Sequence, residues 1–353
     1  MSAISFKTLT QDDITTSRTL LHEAIPITGT LVSGTYATSS HSDGIDREAN
    51  IKTFSHGMFQ SIYDYPYASS SANHIFDLSF GYASGSTYFD SSTTSQHAKK
   101  RNIYNQMAQI LAGYDTDGNI RKFDFDGDFS TSAGTTNELG FLTFSRLLVK
   151  DEIKKGSFTL TVGTADDLTD SFSSTELITD SGSTTNYRAN SPAGEYGFLY
   201  NESGDQRGLI YYQAGIVCLD YKMFPGTAQI ASASWSEDDA FVSGTIDRLS
   251  DGWRNRIKNI SFNNTTELNS TIYFCRAHKG EFNYSSNPTY LSGSKIRVKT
   301  DPGTNEYQNP PMSYVTTVGL YSPDNVLLAV AKLSEPVKKT PINELNLRVR
   351  LDY

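Results

Sequence analysis

The chain closes on Leu345-Asn346-Leu347-Arg348-Val349-Arg350-Leu351-Asp352-Tyr353, an alternation that suits an extended backbone and no helix. Leu347, Val349, Leu351 and Tyr353 fall on one side; Asn346, Arg348, Arg350 and Asp352 fall on the other, the period-2 pattern of a half-buried strand. Upstream, YVTTVGLYSPDNVLLAVAKL sets two apolar runs around a Pro323-Asp324-Asn325 turn. Chain ends fray unless tied down, and burying each large side chain is worth roughly 1.5–3 kcal/mol. The four alternating residues are therefore expected to lock the segment into a sheet, as structural anchors.

The rest of the composition agrees with a β protein. Hydrophobic residues make up only 37%, yet there are 21 Tyr and 19 Phe, which excludes a disordered chain. The length of 353 residues allows two or three domains, or one large β domain with elaborations. A net charge of -9 argues against nucleic acid as the main partner. The one dense basic group, Lys99-Lys100-Arg101, reads as the solvated start of a helix. Cys218 and Cys275 sit in apolar runs without a CxxC spacing and read as core residues of a protein made in a reducing compartment. MSAISFKTLTQDD has no signal-peptide pattern and no apolar run reaches membrane-spanning length, so no membrane partner is expected.

Along the chain, Ser17–Ala24 reads as a short helix ending before Pro26, and ITGTLVSGTYA as a strand. The spacing of Ile103, Met107, Ile110 and Leu111 predicts a helix over about 95–112, stopped by Gly113. Strands are expected in HIFDLSFGYA, ELGFLTFSRLL, GSFTLTVG, DAFVSGTI, IKNISF, STIYFCRA and KIRVKT, with two more in EYGFLYNESGDQRGLIYYQAGIVCLDY. The expected class is mainly β: sandwich-like or jelly-roll-like antiparallel sheets with one embedded helix. The expected divisions are a latching lead-in (1–30), a β-rich region with the helix (31–165), and a sandwich-like region closed by the terminal strand (166–353).

Candidate chemistry is sparse. Asp115, Asp117 and Asn119 open like a calcium loop, but Ile120 stands where the turning Gly belongs and Asp126 where a bidentate Glu belongs. Asp124, Asp126 and Asp128 fall short in the same way. Successive Asp-Gly turns, with Ile120 and Phe123 pinning a strand between them, account for both groups without a metal. His22, His41, His56, His74, His97 and His278 show no zinc-type pairing, and no nucleophile elbow, P-loop or dinucleotide turn is present. No catalytic residue or cofactor is expected. Phe59, Tyr63, Tyr65 and Tyr67 read as core or subunit-contact anchors, with a carbohydrate-stacking platform as the alternative. Lys338-Lys339 reads as a solubilising pair at a sheet edge.

Three internal segments, NIYNQMAQILAGYDTDGNI, FSRLLVKDEIKKGSF and NYRANSPAGEYGFLY, and the terminal YVTTVGLYSPDNVLLAVAKLSEPVKKTPINELNLRVRLDY resemble virion structural proteins of contractile-tailed, T-even-like phages, especially those of cyanobacteria. The resemblance runs from about Ile75 onward. It implies a β-rich assembly protein of the particle, of tail or baseplate type, made in the host cytoplasm. Its implied partners are other virion proteins and symmetric copies of itself. The alternatives are a receptor- or glycan-binding fibre-like module and a neck- or head-associated virion protein.

Overall fold

The computed structural model describes residues 6–29, 32, 37–40, 46–89, 95–129, 134–167, 170–224, 237–284, 291–292, 295–296 and 312–353. The strands used below are β1 (Ile14–Thr28), β2 (Ile51–Thr53), β3 (Gln60–Tyr63), β4 (His74–Tyr82), β5 (Glu138–Phe144), β6 (Thr159–Gly163) and β7 (Thr175–Thr179). They continue with β8 (Gly194–Asn201), β9 (Gln206–Tyr211), β10 (Ile216–Asp220), β11 (Ile257–Ala277), β12 (Ser313–Tyr321), β13 (Leu327–Lys339) and β14 (Leu345–Asp352). Helix α1 is Ser95–Leu111, α2 Glu237–Ser243 and α3 Ile246–Arg256. The expected mainly β, antiparallel class holds. One hydrogen-bonded path runs β1-β11-β6-β7-β8-β9-β10-β5-β4-β3-β2, and β14 joins β11.

The chain divides into two compact units. One is formed by Leu21–Thr266; the other joins Met1–Leu20 to Glu267–Tyr353 and is called the terminal unit below. The expected division near residue 165 is not where the chain parts: β6 and β7 lie on either side of it and pair directly, Leu160 opposite Ile178. Nor is 1–30 a separate lead-in, because Ile14–Thr28 is one strand crossing the first boundary.

In Leu21–Thr266 the alternation read in GSFTLTVG is realised: Phe158, Leu160 and Val162 are all buried. EYGFLYNESGDQRGLIYYQAGIVCLDY yields three strands instead of two, because Gly215, at a φ of +66°, turns the chain again before Ile216. Helix α1 packs on β4, where Gly81 permits the close approach. A Cβ there would sit 2.6 Å from Tyr104 N and 2.8 Å from Lys100 O. The buried face is Lys100, Ile103, Tyr104, Ala108 and Leu111, whereas Ile110 is 60% exposed and belongs to the outer face. Gly113 does end the helix, at a φ of +79°, donating its N–H to Ala108 O at 2.9 Å.

Two expectations are overturned by neighbours distant in sequence. Ser17–Ala24 is strand, with Leu20 and Leu21 both exposed and so no helical face to bury; β11 supplies the ladder. DAFVSGTI spans the end of α2 and the start of α3, with Gly244 and Thr245 between the two helices. Ile246, Leu249, Ser250 and Trp253 recur at helix spacing and are all buried, and Thr245 caps α3 by accepting from Arg248 N. The chain therefore carries more than one embedded helix. IKNISF and STIYFCRA merge into the single strand β11. Of KIRVKT, Lys295–Ile296 is strand; the rest, with most of ITGTLVSGTYA, lies outside the described residues. No described helix is long and apolar enough to cross a membrane.

In the terminal unit, β12 and β13 form the expected hairpin, turned at Asn325 with a φ of +62°. Strand β14 pairs with β11 from Asp352–Ser270 to Leu345–Ala277. Its alternation is real, but the burial is thinner than expected: Val349 is buried, Leu347 and Leu351 are half-buried, and Tyr353 is 74% exposed.

Candidate functional site

The aspartate loops are built by backbone capture. Asp115 accepts from Asp117 N at 2.9 Å and Asn119 N at 2.8 Å, which closes the turn at Gly118. Those hydrogen bonds hold its carboxyl below the usual range. Asp124, fully buried, accepts from Asp126 N at 3.2 Å on one oxygen, and from Asp128 N at 3.1 Å and Phe129 N at 2.7 Å on the other. Burial and the neighbouring Asp126 carboxyl push Asp124 up to about 6.

Of the carboxylates among the six sequence candidates, Asp124, Asp126 and Asp128 converge, with one oxygen from each within 4.8 Å of the others. Calcium takes six to eight oxygen ligands, whereas both Asp124 oxygens already serve N–H donors. The arrangement holds a turn. Phe123, buried against Tyr104 and Phe141, pins the strand between the loops as expected; Ile120 is 38% exposed and does not.

The aromatic loop after β3 lies at the surface. Tyr65 is 51% and Tyr67 46% exposed, so neither is core; Tyr63 is half-buried, with its ring 6.4 Å from Tyr67 and 5.5 Å from His74. The loop is pinned by Asp64, which accepts from Asn73 N at 2.6 Å and Asn73 Nδ2 at 2.8 Å. Below it, Ser61 Oγ donates to Asp77 Oδ1 at 2.5 Å, and His74 Nε2 lies 2.8 Å from the same oxygen. This Ser, Asp and His set has the aspartate at its centre. The serine donates to the carboxylate and not to the imidazole, so the order differs from the serine–histidine–aspartate relay of a hydrolytic triad.

Two lysines read as solvated are enclosed. Lys100 is fully buried and donates to Phe241 O at 2.5 Å and Gly244 O at 2.8 Å, placing an ammonium over the last carbonyls of α2. Burial lowers it to about 8. Lys339 is also buried and donates to Lys279 O, Asn283 Oδ1 and Thr340 O, tying β13 to the loop after β11. Cys218 and Cys275 are free thiols, both raised by burial and so poor nucleophiles.

The feature that sequence reasoning missed is the exposure of the terminal unit. Of 26 exposed large hydrophobic side chains among the described residues, 15 belong to it, against 11 on Leu21–Thr266. Its buried apolar side chains among the described residues are Met312, Leu320 and Val349, each still 8–9% exposed, and none joins the main core cluster. Five exposed residues, Tyr321, Val326, Leu327, Leu328 and Val330, gather at the closed end of the β12–β13 hairpin. The same unit holds a hollow of about 220 Å³ lined by Thr16, Ser17, Arg18, Asn269, Ser270 and Tyr353, with no aligned catalytic group.

Comparison with protein-family models, with curated proteins and with solved structures finds no match.

Proposed function

We propose that this chain is a non-catalytic assembly protein, a structural component of a phage particle of tail or baseplate type. The observation that carries the assembly reading is the terminal unit, whose described residues are rich in exposed apolar side chains and contribute none to the main core cluster. Exposed apolar side chains gathered in one place, as at the closed end of the β12–β13 hairpin, mark contact sites where the same residues scattered singly do not. The placement in a phage tail rests on the resemblance of the quoted segments, chiefly YVTTVGLYSPDNVLLAVAKL and LNLRVRLDY. Mass spectrometry and imaging of purified particles test it: the chain is expected at fixed stoichiometry on the tail or baseplate. Its absence from intact particles would sink the proposal.

A second reading, a glycan-binding module, is favoured by Tyr65 and Tyr67, which present ring surface beside the Asp64–Asn73 pair. It predicts a glycan-array signal lost in Tyr65→Ala. A blank array removes it.

A further inference from the structure

We propose that the outer face of the β2–β3 hairpin and the loop after it form a platform for a neutral saccharide, with Lys52 at its centre and Phe54, His56, Phe59, Tyr63 and Tyr67 around it. This rests on the glycan reading and names the rings, the cation and the class of sugar.

The rings form one connected array around a cation. Lys52 stands opposite Ser61 in the β2–β3 ladder, on the face turned away from the buried pair Ile51 and Ile62. Its ammonium lies 4.8 Å from the ring centre of Phe54 and 5.9 Å from that of Tyr67. Phe54 is in turn 4.9 Å from Phe59 and 5.0 Å from His56, while Tyr67 is 6.4 Å from Tyr63. His56 and Tyr67 are exposed, and the other four are half-buried.

Backbone hydrogen bonds hold both halves of the array. Gly57, at a φ of +56°, donates its N–H to Phe54 O at 2.8 Å and folds the end of the hairpin. Tyr67 N donates to Ala49 O at 3.0 Å, which fastens the loop beside β2. A surface fixed in this way loses little freedom when a ligand settles on it.

Charge selects the occupant. Among the described residues the Lys52 ammonium makes no ion pair or hydrogen bond. An apolar protein surface laid over these rings would strand that charge. A sugar ring does not, because its C–H face covers an aromatic ring while its hydroxyls accept from the ammonium. The unit that carries the platform, Leu21–Thr266, holds 18 basic and 29 acidic residues, a net of -11. That field opposes nucleic acid and uronate-rich chains, and a neutral glycan does not feel it.

Saturation-transfer NMR of the full chain with glucose-, galactose- and mannose-built oligosaccharides tests the proposal, beside a uronate oligosaccharide and a single-stranded oligonucleotide. Transfer to a neutral oligosaccharide is expected, and Tyr67→Ala and Lys52→Met should each weaken its affinity by about tenfold. The unaltered chain gives a readout free of any folding defect. At about ten times its Kd, that oligosaccharide should slow acetylation of Lys52 by about tenfold and leave the exposed Lys332 unchanged. Neutral-sugar binding that survives both variants and leaves Lys52 acetylation unchanged overturns the platform and keeps the glycan reading. Binding of the uronate or the oligonucleotide alone overturns the choice of a neutral ligand. Transfer to no saccharide overturns the platform and the glycan reading together.

Discussion

Lys100 shows how a single side chain joins two elements. Its ammonium is stripped of water and rests on the carbonyls that end α2. The folded pKa of about 8 lies below the ordinary 10.5, so between those values the unfolded chain holds the proton more firmly than the folded one. Stability should therefore rise as pH rises from about 8 to 10.5, and the cost of burying the charge is fully present below 8. We expect the gain to approach roughly 2–3 kcal/mol at most. Urea unfolding at both ends of that window checks it: Lys100→Met should flatten the rise relative to the unaltered chain. A rise of equal size in the variant would assign it to other groups. The residue type and position were plain in the sequence; the enclosure was not, because Phe241 and Gly244 approach from 141 and 144 residues away.

At the scale of elements, local signals worked where they were self-contained. Gly113 ends α1 because a left-handed residue is needed there, and the Pro-Asp-Asn turn closes β12 onto β13 with Asn325 at positive φ. They failed where a partner decided. Ser17–Ala24 has helix-forming composition but lies beside β11 and extends, and Ile110 matches the apolar period of α1 yet faces outward. Strand β14 lies between these cases: its alternation fixed the backbone, while the depth of burial depended on what covers it. Val349, opposite Tyr273, is its one buried apolar side chain. Val349→Asp should weaken the local pairing by about 2–3 kcal/mol. Faster amide exchange in Ser270–Ala277 would register this, with β8–β10 unaffected; unchanged exchange there would mean the strand is held by its backbone ladder alone.

At the scale of the molecule, the main core cluster of the described residues lies in one unit, and most of their exposed large apolar side chains lie in the other. Trp253 stacks on Tyr221 at 5.8 Å and meets Phe80 and Phe224 edge-on, within a cluster drawn wholly from Leu21–Thr266. Enthalpy and heat capacity of unfolding scale with the surface buried. Calorimetry should thus show a main transition from Leu21–Thr266 whose midpoint does not move between ~1 and ~100 µM, because that unit needs no partner to bury its core. A concentration-dependent main transition would mean that the core unit also depends on association.

By itself the sequence determined what needs only neighbours along the chain: the alternation of β14, the turns at Gly113 and Asn325, the Asp-Gly loops and the mainly β class. Those follow from steric limits on φ and from side-chain period, both local. Only the tertiary structure decided which of these surfaces meet. It enclosed Lys100 and Lys339, turned Asp124 inward onto three N–H groups, and left Tyr65, Leu328 and Tyr353 in solvent. Burial is a property of pairs of segments far apart in sequence. The alternation of Leu345–Asp352 therefore could not say, before folding, what covers its apolar side.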